Sequence, residues 1–206
     1  MRAAQRAFTS SERVALRMTG MGSRNAAQAL EQELECRRPQ QILMMGLAGA
    51  LSLNLQVCDT VVYTACTDEA GHRLETASSK ALLSRLTASG LKVTSGTGLT
   101  LSRMLCSASE KQKFSQHAIA VDMESYAVLK VASRYAVPTS IIRVISDDAH
   151  QDLPDLASAI DPDYQPNNVQ MALRLMASPW LGVRFLYNLK RSLGVLTSAI
   201  RAVLEV

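Results

Sequence analysis

Aromatic residues make up only 4% of this 206-residue chain, so the stacking platforms that hold single-stranded nucleic acids are missing. Charge of one sign is never concentrated either: 22 Lys and Arg stand against 18 Asp and Glu, and the net +4 arises without a run of like charges. Nucleic acid is therefore not an expected partner. No apolar run reaches the roughly 18 residues of a spanning helix. The start, Met1-Arg2-Ala3-Ala4-Gln5-Arg6, lacks the apolar stretch of a secretory signal, which leads to the expectation of a soluble, cytoplasmic protein. Cys36, Cys58, Cys66 and Cys106 include no C-x-x-C pair, so neither a zinc knuckle nor a redox couple is indicated. His72, His117 and His150 have no ligand spacing, and the acids near His150 read as solvated loop residues. No metal and no organic cofactor is expected.

Against these absences stands a 48% hydrophobic content, enough for one packed domain over residues 1–206. Apolar runs of strand length alternate with helical periodicity. Strands are expected at Val14–Met18, Ile42–Met45, Thr60–Ala65, Lys92–Gly96, Ala118–Val121 and Ser140–Ile145, the last introduced by Pro138. Helices are expected at Asn25–Cys36, Lys80–Ser89, Met123–Tyr135, Asn167–Ala177 and from Pro179 onward. Another should run from Ser107, whose Glu110 three residues on forms a capping box, toward Gln116. Continuous apolar strands alternating with helices imply an α/β class in which helices cover both faces of the sheet. A polar loop with three prolines is expected from Asp152 to Asn168.

Two strand ends carry acids, and ligands collect at the carboxyl ends of strands in open α/β sheets. One is Asp122-Met123-Glu124, where a strand gives way to a helix; the other is Ser146-Asp147-Asp148. Taken as residue types alone, Ser146-Asp147-Asp148 also suits a turn or helix cap, and Glu124 suits the first turn of a helix. Gly20 with Gly22, and Gly46 with Gly49, are places where the backbone can approach a ligand or simply turn.

Read together, these pieces resemble the superfamily of purine nucleoside phosphorylases and methylthioadenosine/S-adenosylhomocysteine nucleosidases. The similarity is carried by Val121-Asp122-Met123-Glu124-Ser125, Arg143-Val144-Ile145-Ser146-Asp147, Thr19-Gly20-Met21-Gly22 with Asn25-Ala26-Ala27, and Met45-Gly46-Leu47-Ala48-Gly49-Ala50-Leu51. It implies a three-layer α/β/α sandwich with a mixed, twisted central sheet. It further implies cleavage of the N-glycosidic bond of a nucleoside in a homodimer. Asp147 would be the acid that protonates the departing base, kept neutral by burial and by Asp148. Glu124 would hold the ribose hydroxyls, with Met123, Ser146, Gly46, Gly49, Gly20 and Gly22 lining the substrate. The tail Asp147-Asp148-Ala149-His150-Gln151-Asp152-Leu153-Pro154 looks most like the hopanoid-associated branch, which implies removal of adenine from adenosylhopane.

The chain also departs from that family. Phosphorylases place an arginine two residues before the glycine at Gly46, where this chain has Met44; hydrolysis is thus favoured over phosphorolysis, for which Arg103 or Arg143 could supply a substitute. The aromatic that stacks on the base falls near Leu105-Cys106. Nucleosidases carry an early strand with a water-positioning glutamate, and the resemblance begins after that element. Finally, residues 179–206 form a basic amphipathic segment, with Trp180, Val183, Leu186 and Leu193 among Arg184, Lys190, Arg191 and Arg201. Such a segment packs on its own domain or a partner subunit, or lies on the inner face of a membrane.

Overall fold

In a computed structural model, residues 14–159, 161 and 167–204 are described. Six strands form one mixed sheet: β1 (Ile42–Ala50), β2 (Thr60–Thr67), β3 (Arg73–Glu75), β4 (Val93–Thr100), β5 (Ala120–Asp122) and β6 (Thr139–Asp147). Their order is β3-β2-β4-β5-β1-β6. β6 runs parallel to β1, from Ile42 opposite Thr139 to Gly49 opposite Asp147. It also pairs antiparallel with β2, Thr60 facing Val144 and Tyr63 facing Ile141. Twist accumulated from strand to strand thus brings β2 and β6 together and closes five strands into a ring, with β3 an arm on β2.

Helices flank the sheet on both sides, as a mixed α/β fold requires. Leu129 of α4 (Ser125–Arg134) packs with Ala48, Ala50, Tyr63, Ile141 and Ile145. Outside it lies α1 (Ser23–Cys36), whose Leu34 meets Val131 and Val137. The other face is covered by α2 (Lys80–Ala88) and α6 (Pro179–Leu204), whose Leu86 and Ala199 pack on Val62 and Ile142. Alternation along β6 explains the division: Ile141 and Ile145 point one way, Ile142 the other. All three are 0% exposed, and each contributes about 1.5–3 kcal/mol by leaving water. Two further helices are α3 (Ala108–Phe114) and α5 (Asn168–Ala177).

Most expected elements occur with shifted ends, and each shift has a local cause. The Ser107 hydroxyl accepts from the amide of Glu110 at 3.2 Å and opens α3, which stops at Phe114 rather than Gln116. The helix expected from Met123 begins only at Ser125, because Asp122 takes the amides of Glu124 and Ser125.

Val14–Met18 is not a strand. Its alternating Val14, Leu16 and Met18 are 40%, 42% and 74% exposed, and no strand among the described residues pairs with it; a strand pattern becomes a strand only where its backbone groups find a ladder. The hairpin arm β3 was not expected at all. Its turn is closed by Asp68, which accepts from the amides of Ala70 at 3.1 Å and His72 at 2.8 Å. Part of the expected loop between Asp152 and Asn168 lies outside the described residues.

Candidate active site

Where β5 passes into α4, Asp122 organises the chain. One carboxylate oxygen, Oδ1, accepts from the amides of Glu124 and Ser125 at 3.0 and 2.9 Å and from the Thr100 hydroxyl at 3.0 Å. The other, Oδ2, accepts from the Ser125 hydroxyl at 2.5 Å and lies 3.1 Å from Nε of Arg143. These amides are the orphan donors of a helix start, so the acid caps α4 while it anchors the arginine.

Arg143 projects from β6 into space that Gly46, its partner on β1, leaves open: a Cβ at Gly46 would stand 2.3 Å from Nη1. The guanidinium also reaches Ser125 Oγ at 2.8 Å, Glu124 Oε2 at 3.5 Å and the Met44 sulfur at 3.7 Å. Burial alone would pull Arg143 down, but Asp122 and Glu124 outweigh it and hold it above its ordinary value. Glu124 is pushed up by burial, with Arg143 opposing. Its second oxygen, Oε1, accepts from the amide of Gly22 at 2.8 Å. Gly22 has φ +85°, a backbone that a side chain would strain. The neighbouring Ser23 hydroxyl donates to the carbonyl of Met123 at 2.7 Å.

At the end of β6, Asp147 is held on both oxygens. Ser146 donates to Oδ1 at 2.8 Å, and Lys111 of α3 donates to Oδ2 at 2.6 Å and to the carbonyl of Asp148 at 2.7 Å. The Lys111 side chain is 0% exposed. Gly49 admits this arrangement, since a Cβ there would lie 2.8 Å from Oδ2. The Asp148 carboxylate accepts from the amide of His150 at 3.1 Å, and the charged group in contact with Asp147 is the Lys111 ammonium.

β1 joins the two acidic ends. Gly49 registers with Val121 on β5 and with Asp147 on β6, at a break in the β1–β6 register between Ala48 and Gly49; such irregularities re-aim side chains beside active sites. Arg143 and Asp147 lie on either side of that break, four residues apart on β6.

The structure therefore gathers Gly22, Met123, Glu124 and Gly46 about Arg143 at one strand end and Gly49, Ser146 and Asp147 at the other, with β1 paired to both strands. Gly20 is exposed, and a Cβ there would meet Asn25. Leu105, at the place of the expected aromatic, is buried with Leu99, Leu101 and Val121, and burial pushes the thiol of adjacent Cys106 up, with Asp147 among the charges that act on it. A cleft of about 280 Å³ lined by Leu74, Leu129, Pro138 and Thr139 opens at the opposite end of β6 and holds none of these acids.

Three participants were missed or misread from sequence. Arg143, which with Arg103 is one of two alternatives for a substitute phosphate ligand, has its guanidinium committed to Asp122, Glu124 and Ser125. A lone charge inside an apolar strand was its signal, since a buried charge must be paired. Asp122 gave a weaker one, as an acid before a helix start. Lys111 gave none.

Such an arrangement has clear chemical capacities. An ionised carboxylate accepts two hydroxyls at once, and a carboxyl at a neighbouring strand end can pass a proton to a leaving base.

Comparison with known proteins adds the following. The family model for the phosphorylase superfamily matches residues 6–177. The 5′-methylthioadenosine/S-adenosylhomocysteine nucleosidase of Haemophilus ducreyi is 28% identical over 156 residues, covering 65% of this chain and 67% of that protein. A mutant of the Helicobacter pylori nucleosidase of the same name, solved with 5′-methylthioadenosine in its active site, superposes with TM-score 0.60 at 18% identity over 88% of this chain and 77% of that one. Futalosine hydrolase of the same organism gives TM-score 0.59 at 18% identity over 88% and 76%.

Proposed function

The chain belongs to the phosphorylase superfamily, and from that premise we propose that it is an enzyme cleaving the N-glycosidic bond of a 5′-substituted adenosine, with water as the acceptor. The observation that supports this reading is that Glu124 and Asp147 stand at the ends of β5 and β6, the two strands that flank β1, each fixed by buried donors. In this mechanism Glu124 accepts hydrogen bonds from the ribose hydroxyls. Asp122, Glu124 and Arg143 together carry one net negative charge, which favours the positive charge that develops on the sugar as the bond breaks. Asp147 delivers the proton that lets adenine depart as a neutral base. Small-molecule nucleosidase relatives support the substrate class.

Two features support water over phosphate. Met44 occupies the place of a phosphate-gripping arginine, and its sulfur rests against the Arg143 guanidinium. Arg103 is paired with Glu110 at 2.8 Å. The test is incubation with adenosine, methylthioadenosine and adenosylhopane, with and without phosphate, following free adenine by chromatography. Adenine should appear without phosphate. Strict phosphate dependence would make the protein a phosphorylase, and calorimetric binding without release would make it a nucleoside-binding homologue.

For the 5′ substituent, the reading extends to an apolar group such as that of adenosylhopane, delivered from a membrane surface. α5 and α6 expose Val169, Leu173, Met176, Trp180, Val183 and Tyr187. Residues 167–204 contain Arg174, Arg184, Lys190, Arg191 and Arg201 and no acid, which suits an anionic bilayer. No helix among the described residues is long and apolar enough to cross one. Co-sedimentation with anionic liposomes should fall on Trp180→Ser with Val183→Ser. Equal sedimentation, with light scattering that gives a dimer whose formation shields Trp180, would assign the face to a homodimer instead.

A further inference from the structure

Asp147 meets the purine in the proposed reaction, yet the proton it needs is not its own. Its Oδ2 faces an ammonium at 2.6 Å and its Oδ1 accepts from Ser146, so both oxygens of this carboxylate are met by donors. The ammonium belongs to Lys111, whose side chain is fully enclosed and which also donates to the Asp148 carbonyl. We propose that Lys111 is the proton reservoir behind Asp147, a positioning residue that loads the acid when a nucleoside seals the site. The proposal rests on Asp147 being the group that protonates the base.

The physical reason is the cost of holding two charges away from water. In the empty site the rim of Asp147, whose side chain is 11% exposed, is open to solvent and the ion pair is sustained. A bound purine displaces that solvent, and a buried pair that loses solvation is relieved when one proton crosses from nitrogen to oxygen. The Nζ–H bond breaks and an Oδ2–H bond forms, leaving a neutral amine and a neutral carboxylic acid. The acid hydroxyl then turns to the purine. As the C1′–N bond breaks and its electron pair enters the base, the proton leaves Oδ2 for a ring nitrogen. Asp147 ends as carboxylate and Lys111 as amine, which takes a proton from water once the base has gone.

Other titratable groups around Lys111 are engaged elsewhere. On its own helix Glu110 pairs with Arg103, and Lys113 lies two residues on. Asp152 accepts from the amide of Ala108 at 2.8 Å, and Asp148 from that of His150. The Cys106 thiol, before the helix, is pushed up by burial. Asp155 lies 3.7 Å from Arg174.

The experiment compares pH profiles of kcat for release of adenine from methylthioadenosine by the parent, Lys111→Met, Lys111→Arg and Asp147→Asn, with circular dichroism to check folding. Lys111→Met should lose about 100-fold in kcat at neutral pH, the scale of a general acid, with KM within threefold. Its activity should recover as pH falls, moving the alkaline limb down by at least about one pH unit, because Asp147 must then take its proton from solvent. Lys111→Arg keeps the charge but not the exchangeable proton, and should not restore kcat. A Lys111→Met limb unmoved or shifted upward, or full rescue by arginine, would overturn the reservoir and leave a structural cation. An active Asp147→Asn would instead overturn the underlying assignment of Asp147.

Should Lys111 variants not fold, the parent decides alone. Difference infrared spectra on adding free adenine should show a carboxylate signal replaced by a protonated carboxyl signal that Asp147→Asn lacks. No such signal would end the proposal.

Discussion

At the β5–α4 junction, Glu124 shares the guanidinium of Arg143 with Asp122, whereas at the end of β6 Asp147 has the ammonium of Lys111 as its own ionic partner. The first group holds two carboxylates and one cation that never gives up its proton; the second holds one of each, and its cation can exchange. The difference maps onto what each end does in the proposed reaction. A sugar that becomes positive is met by a fixed excess of negative charge. A base that would otherwise leave as an anion is met by a pair that can surrender a proton. Strand ends of similar composition are thus set apart by the kind of cation the rest of the chain delivers to each.

Removing the two cations should separate the pairs most strongly. Arg143→Met leaves Asp122, with a side chain 1% exposed, buried beside Glu124 without a counter-charge, a loss of about 3–5 kcal/mol. Lys111→Met strands only Asp147, at a rim where water can reach it, and should cost about 1.5–3 kcal/mol, the scale of one charged hydrogen bond. Urea unfolding of both variants checks this order, and a larger loss for Lys111→Met would break the comparison.

Glycines give a finer probe of the same contrast. A methyl at Gly46 meets Nη1 of Arg143 at 2.3 Å, and one at Gly49 meets Oδ2 of Asp147 at 2.8 Å. Gly46→Ala presses on a guanidinium fixed from several sides and should cost about 1–3 kcal/mol, as overpacking does. Gly49→Ala presses on a carboxylate at the open rim, so the larger change should be in kcat. Thermal melting and base-release assays on the two variants separate stability from turnover; a Gly49→Ala enzyme that melts lower but turns over like the parent would contradict the assignment of the rim.

How much of this was legible beforehand depended on whether a residue's partner was near in sequence. Ser140–Ile145 reads as a covered strand because each face meets helices, and Ser107 with Glu110 announces α3 because the cap is local. Val14–Met18 shows the same alternation as a strand, but its pairing would have to come from elsewhere, and the pattern alone cannot supply it. Glu124 and Asp147 could be singled out by their places at strand ends and by family resemblance. Lys111 could not: its partner lies 36 residues away, and a lysine in a short polar helix is what an exposed face also presents. Arg143 was visible as a charge in an apolar run, but only the geometry around Gly46 decides that it faces carboxylates rather than phosphate.

The smallest expected effect bears on Glu124 alone. Burial, only partly offset by Arg143, holds this carboxyl above its ordinary 4.5. In the folded protein it therefore keeps its proton at a pH where the unfolded chain has released it. The unfolded state then binds fewer protons than the folded one, so the contribution of Glu124 to stability falls as pH rises from 4.5 and levels off once the folded value is passed. Glu124→Gln has no proton to lose there. The difference between parent and variant, measured as urea midpoints at a series of pH values, should move steadily against the parent across that window, by less than about 1.4 kcal/mol per pH unit. Parallel curves would mean that Arg143 cancels burial entirely and that Glu124 stands in the folded chain as it does in the unfolded one. The two acidic ends would then differ in their cations but not in the strain each cation relieves.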